Sequence, residues 1–195
     1  GYEEYRCYSR FFGPIIYHIM LSISSKISNM IACRSHLLRG KRGNVVSPSQ
    51  LNEKWFLNRK PPNSQKIEIL YVGRIKIEKG VFSLLNIFKK INENIKIKIV
   101  NSEKNYDSNL KTKNVEIVHF KNINDSIINV YDNHNIFILP SFTEAHPQVL
   151  DEALSRLRPV IVFSEISHVK RDREGVFVCK RDHKSLLDTI KYITK

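Results

Sequence analysis

The sequence predicts an α/β domain built on a doubly wound parallel sheet, and three observations carry that expectation. From Ile67 onward, short β-branched runs alternate with stretches of helical period. Those runs are apolar on both faces, as expected of strands in a parallel sheet that helices cover on each side. The chain has 195 residues, 42% hydrophobic and 26% charged, enough apolar material for a sizeable core and too much for a disordered segment. Ile, Asn and Lys are abundant throughout, but the apolar periodicity survives, so the abundance reads as genome-composition bias.

Ahead of Ile67 the pattern differs. A helical stretch Ile15–Ile27, an apolar tetrad Met30–Cys33 and a basic loop Arg39–Arg42 lead to Val45-Val46-Ser47-Pro48. Pro48, Pro61 and Pro62 bracket a polar segment, so a boundary falls near there, dividing 1–47 from 48–195. The alternation then runs strand Ile67–Val72, helix Gly80–Ile91, strands Ile95–Val100 and Val115–Phe120, and helix Ile123–Tyr131. It continues with strand Ile136–Leu139, helix Gln148–Arg156, strands Val160–Phe163 and Val176–Val178, and helix Lys184–Ile193.

Charge narrows the partners. Lys and Arg number 32 against 19 Asp and Glu, and the net charge of +13 points to a polyanion, an anionic membrane face or a phosphate-bearing substrate. The basic runs Arg39–Arg42 and Lys170-Arg171-Asp172-Arg173 lack aromatics interleaved on a strand platform, so nucleic acid is not an expected partner. Cys7, Cys33 and Cys179 form no C-x-x-C, which fits a reducing, cytoplasmic setting. His119, His134, His146, His168 and His183 have no ligand spacing, and no metal site is expected; of these, His146 alone is read as lining a site. The apolar stretch Phe11–Ile23 is broken by Pro14, His18 and Ser22 and falls short of the ~18 residues of a spanning helix. Peripheral contact of helix Ile15–Ile27 with the inner membrane face is a possible use of its apolar side, and packing against another domain is the commoner one. The chain opens at Gly1 inside an amphipathic stretch, and the expectation is a fragment.

In open α/β sheets ligands bind beyond the carboxyl ends of the strands, so the loops after each strand are the places to inspect. In Gly73-Arg74-Ile75-Lys76-Ile77-Glu78-Lys79-Gly80, Gly73 permits a tight turn and the cations Arg74 and Lys79 can bracket a diphosphate. Taken alone, such a loop is more often a solvated basic segment. Neither G-x-G-x-x-G nor a Walker loop is present. The second loop, Leu139 to Ala153, places Pro147 as the first helical residue and leaves the amides of Gln148 and Val149 at the positive end of a helix. Glu144 precedes that helix and Glu152 lies about one and a half turns into it, so both are expected over the same strand end. Carboxylates hold hydroxyls well, and a sugar plus a ribose is the natural cargo. The plainer alternative is two surface acids at a helix start, favoured by its dipole.

These residues resemble a known family. Gly73-Arg74 with Lys79-Gly80, then Leu139-Pro140-Ser141, the Glu144 to Glu152 pair and Arg158-Pro159-Val160-Ile161 look like the C-terminal, donor-binding domain of glycosyltransferase family 4, a Rossmann-like half of the GT-B fold. Asn29 to Ser35 resembles the last strand of the acceptor-binding N-terminal domain, and Asn44 to Leu51 the crossover, which makes 1–47 a remnant of that domain. The resemblance implies a retaining, metal-independent transfer from a nucleotide sugar, such as a UDP- or GDP-sugar, to a glycan or lipid-linked acceptor, with no cofactor. It gives Arg74 and Lys79 to the donor diphosphate, Glu144 to the sugar near the reacting carbon, the amides at His146, Gln148 and Val149 to sugar and phosphates, and Glu152 to the ribose. Three departures stand out: Ala145 where the family has Gly after the first Glu, Leu157 for its Gly before Arg-Pro, and Asn101-Ser102-Glu103 for a Gly-rich turn. The chain also stops short of the family's closing helices. A nucleotide-sugar epimerase on a similar scaffold and a non-catalytic basic binding module are the competing readings. Altered free nucleotide sugar would mark the first, and heparin retention that nucleotides cannot displace the second.

Overall fold

The computed structural model describes residues 9–32, 38–46, 49–62, 67–91, 94–102, 114–122 and 126–195. Cys7, Cys33, Arg34, Ser35, Ser47, Pro48, Glu103 and Ile123, which figure in the expectations above, lie outside them. The chain divides into two compact units, 1–48 and 49–195.

In the first unit, helix α1 (Phe12–Ile27) begins three residues before the expected start. The Ser9 hydroxyl accepts the Phe12 amide at 3.1 Å, and Pro14 sits in the first turn, where a missing N–H costs no hydrogen bond. Strands β1 (Met30–Ala32) and β2 (Gly43–Val45) pair in parallel. Among the described residues no helix is long and apolar enough to cross a membrane.

The second unit is the expected doubly wound domain. Its strands are β3 (Glu68–Gly73), β4 (Lys96–Asn101), β5 (Val115–His119), β6 (Ile136–Leu139), β7 (Val160–Phe163) and β8 (Val176–Cys179). All neighbours are parallel, in the order β5-β4-β3-β6-β7-β8. The chain winds outward from β3 to β5, returns to place β6 against the other side of β3, and winds outward again. The carboxyl ends of β3 and β6 therefore form the topological switch point, where helices leave on opposite faces and a crevice opens.

Strand alternation sorts the core into two layers. Ile69, Tyr71, Ile97, Ile99, Ile136, Ile138, Ile161 and Phe163 face one way, beneath α2 (Val81–Phe88) and α5 (His183–Ile193). Leu70, Val100, Phe137, Leu139, Val160 and Val162 face the other, beneath α3 (Ile127–Asp132) and α4 (Gln148–Ser155). Cys179 belongs to the first layer, and burial pushes its thiol up to about 12, a packing residue with little thiolate to react. Helix α2 is shorter than expected because its last turn tightens, with Lys90 bonding to Ile87 and Ile91 to Phe88.

The end of α4 organises a second anchor. Leu157 donates to Leu154 O and Arg158 to Ala153 O, both at 2.9 Å, which is a Schellman turn closing the helix. The turn directs two arginines inward, with side chains only 1% and 2% exposed. Arg156 grips Asp132 through Nε (2.9 Å) and Nη2 (2.5 Å) and donates to the carbonyls of Trp55, Leu57 and Asn58. Arg158 donates to the carbonyls of Arg156, His134 and Lys60. The incoming segment 55–60 is thus fastened to the sheet by two guanidinium groups and by Trp55, packed edge-on against Tyr131.

A Schellman turn needs a left-handed residue, and Leu157 occupies that place at φ 61°. A non-glycine residue there costs roughly 1–2 kcal/mol. Leu157 is 43% exposed, so little packing would be lost on truncation. Leu157→Gly should therefore stabilise the domain by about 0.5–1 kcal/mol after allowing for the looser unfolded chain, read as a higher midpoint in urea at unchanged slope.

Candidate functional site

Two loops that leave neighbouring strands meet at the switch point. The first follows β3, and its entry is set by Gly73 at φ 155°, where an added Cβ would lie 2.7 Å from the Tyr71 hydroxyl. That hydroxyl donates to Arg74 O at 2.8 Å and holds the turn. The loop closes in a 3-10 turn (Ile77–Lys79) and Gly80, whose φ of 68° and missing side chain let the Pro140 carbonyl pass where a Cβ would be 1.9 Å away. The Phe142 amide then donates to Glu78 O at 3.0 Å, so the loops after β3 and β6 are joined through their backbones.

Between them lies a cavity of about 340 Å³. Seven of the eight candidate residues line it: Gly73, Arg74, Lys79, Glu144, His146, Gln148 and Val149. Lys79 Nζ lies 2.7 Å from Glu144 Oε1, and the hydroxyl of the fully buried Ser141 donates to the same oxygen, also at 2.7 Å. Glu144 is thus no solvated surface acid; its side chain is 10% exposed and held at two points. Arg74 is exposed at the mouth. His146 is placed by Asp151, whose other oxygen takes Arg173 at 2.7 Å, and His168 bonds the Glu144 carbonyl at 2.9 Å.

Pro147 differs from the expected first helical position. Its ψ of 108° is extended, the helix opens at Gln148, and Pro147 flanks it. The Gln148 and Val149 amides remain in the first turn, and both residues line the cavity. Ala145 is not in the left-handed region, so this loop path makes no demand for glycine there.

The eighth candidate, Glu152, is not among the lining residues. It is half-buried, and its Oε2 accepts the Tyr131 hydroxyl at 2.7 Å. Burial raises its pKa, only partly offset by the Tyr131 bond, and neighbouring Asp151 adds to the rise. Burial and the nearby Glu152 carboxylate hold Tyr131 well above its usual range, so the phenol stays protonated and donates.

Sequence reasoning did not find Ser141, Tyr131, His168 or Arg181 as partners of the site. The three-residue spacing of Ser141 and Glu144 was a usable signal, and inspecting the loops after β7 and β8 would have raised His168 and Arg181. Tyr131 reaches Glu152 only through the packing of α3 against α4, which local spacing cannot reveal.

Comparison with known proteins agrees with this architecture. A family described as glycosyl transferases group 1 matches residues 53–195. The capsular polysaccharide biosynthesis glycosyltransferase CapM of Staphylococcus aureus is 32% identical over 133 residues, covering 62% of this chain and 35% of that protein. A glycosyltransferase from Rickettsia africae superposes at a TM-score of 0.68 and 21% identity, covering 90% of this chain and 55% of the other. Sucrose-phosphate synthase of Thermosynechococcus elongatus gives 0.65 and 18%, covering 90% and 52%. At these identities the two superpositions establish the fold, the Rossmann-like α/β half of a GT-B glycosyltransferase. The chain spans about a third of the length of CapM and about half that of either structure.

Two sets of outcomes are expected, the first for a cavity that holds a nucleoside diphosphate. Arg74→Ala should weaken nucleoside-diphosphate binding by about 1.5–3 kcal/mol, the range for hydrogen bonds to charged groups, and leave nucleoside binding and thermal stability nearly unchanged; calorimetric titration and a melting curve check both. Lys79→Ala should weaken the diphosphate similarly and also lower the melting temperature, because Glu144 loses its counter-ion.

The second concerns Glu152. Its raised pKa means the folded protein binds that proton more tightly than the unfolded chain, so the ionised carboxylate subtracts stability at neutral pH. The subtraction is relieved as pH falls through the raised value toward the ordinary 4.5. Glu152→Gln should melt no lower than wild type at pH 7, and any advantage should shrink as the solution is acidified through that window.

Proposed function

This chain belongs to the glycosyl transferases group 1 family, and on that premise we propose that it supplies the donor site of a retaining, metal-independent glycosyltransferase. The enzyme moves a sugar from a nucleotide diphosphate, such as a UDP- or GDP-sugar, to a glycan or lipid-linked acceptor. The observation that carries the reading is the cavity itself: two cations, a pinned carboxylate and the first-turn amides of α4 converge on one volume at the switch point. A diphosphate needs cations and oriented N–H groups, and a sugar needs a carboxylate for its hydroxyls.

In this reading the donor's diphosphate lies between Arg74 and the start of α4, with Lys79 shared between it and Glu144. When the bond from the anomeric carbon to the diphosphate oxygen breaks, negative charge gathers on the departing phosphate. Arg74, Lys79 and the amides of Gln148 and Val149 meet that charge, which is what a metal ion would otherwise do. Positive charge develops on the sugar, and Glu144 faces it through the oxygen not taken by Lys79 and Ser141. His146 borders the sugar. Glu152, on α4 but outside the cavity lining, takes the ribose on the oxygen that Tyr131 does not hold. The capsular polysaccharide named for CapM supports a growing glycan as acceptor. Segment 1–47 belongs, in this reading, to the acceptor-binding domain, and the acid-free stretches of α1 and its basic flank suit a protein working at the inner membrane face.

In the full-length enzyme, Glu144→Gln should lower kcat at least tenfold and leave nucleoside-diphosphate affinity about intact, since the bare nucleotide never meets that residue. Glu152→Gln should raise the dissociation constants of nucleoside and nucleotide sugar alike. Full kcat in Glu144→Gln, or equal loss of nucleotide binding in both, would overturn the roles. Release of an altered nucleotide sugar with no product on any acceptor would replace the transferase by an epimerase.

A further inference from the structure

Arg181 lies outside the cavity, in the turn between β8 and α5, yet its guanidinium is spent almost wholly on the loop that carries Glu144. Nη1 donates to Pro140 O at 2.9 Å and Nη2 to Ser141 O at 3.1 Å. Nε meets Glu165 Oε1 at 2.5 Å, from the turn that follows β7. The guanidinium plane is covered by two rings, with Phe142 at 4.0 Å and Phe163 at 4.4 Å from its central carbon. The side chain is 13% exposed. One planar group therefore ties the carboxyl ends of three neighbouring strands together, using edges for carbonyls and faces for rings.

We propose that Arg181 is the positioning residue for Glu144. The two carbonyls it holds belong to the residues just ahead of that carboxylate, and Ser141, fixed by its carbonyl on one side, donates its hydroxyl to Glu144 Oε1 on the other. The Phe142 ring, pressed on the guanidinium, carries the backbone amide that bonds Glu78 in the opposite loop. Loss of the fork frees the loop at Pro140, Ser141 and Phe142 together, and Glu144 then keeps only Lys79 on its carboxylate and His168 on its carbonyl among the contacts described. Lysine cannot replace the fork: it is a point charge, without the planar donors that reach two carbonyls and Glu165 at once, and without a plane for two rings. Catalysis is sensitive to such placement, since a displacement of about 1 Å at a reacting centre costs on the order of a hundredfold in rate.

The inference rests on the role given to Glu144 above, and its test has one arm independent of that role. In the full-length protein, Arg181→Lys and Arg181→Ala should speed hydrogen exchange at the Phe142 amide at least tenfold while amides of the β3 and β7 interiors keep their protection. Both variants should lose at least tenfold in kcat with donor KM within about threefold, and millimolar guanidinium should restore much of the rate to Arg181→Ala but not to Arg181→Lys, where the ammonium fills the place. Unchanged Phe142 exchange, or a kcat that falls only with the folded fraction, would overturn the proposal. If wild type neither binds nucleoside diphosphate nor transfers sugar, the donor-site reading fails, and the exchange arm still decides whether Arg181 holds the loop.

Discussion

The site depends on one close approach, the passage of the Pro140 carbonyl across Gly80. β3 and β6 are sheet neighbours only because the chain reverses its winding there, and their loops leave toward opposite faces. Left to themselves, such loops diverge. The contact at Gly80, the Phe142 to Glu78 backbone bond and the Lys79 to Glu144 ion pair bring them back together over about 340 Å³ of space. Each is short-range and directional, and each fails if a side chain at residue 80 pushes the loops apart.

Electrostatically, the cavity is of mixed character. A net charge of +13 draws anions to the protein as a whole, but at the centre of the cavity Lys79 is matched by Glu144. A partly buried ammonium or carboxylate alone would be costly, and pairing offsets part of that cost. Arg74, at the mouth, has no ion-pair partner among the described residues and adds surface charge. Attraction at long range and neutrality at short range are different tasks, handled here by different residues.

Much of this was legible from residues in order. The β-branched runs located all six strands of the sheet, and the rule that ligands sit beyond strand carboxyl ends pointed to the two loops that do meet. Gly73, Arg74, Lys79, Glu144 and His146 lie close enough in sequence to their strands for local reasoning to place them. Glu152 was harder, because the helical pitch says where its Cα lies and not that Tyr131 from another helix takes its carboxylate. Arg156 entered only as the end of an expected helix and Arg158 only within the Arg158-Pro159 motif, and nothing local shows that a Schellman turn aims them at Asp132 and at carbonyls about a hundred residues earlier. Pro147 marked the start of α4 correctly to within one residue, its extended ψ setting it just outside the helix.

The left-handed turn at Leu157 bears on how such a chain is written. The composition leans toward isoleucine, asparagine and lysine, and the whole sequence holds seven glycines. At Gly80 a side chain would collide with a carbonyl, a matter of occupied space that no adjustment of energy can settle. At Leu157 the objection is torsional and the side chain hangs in solvent, so a bulky residue is merely expensive. A chain poor in glycine thus separates two kinds of requirement that a glycine at each place would blur: positions where shape forbids, and positions where strain can be carried by the stability of the rest.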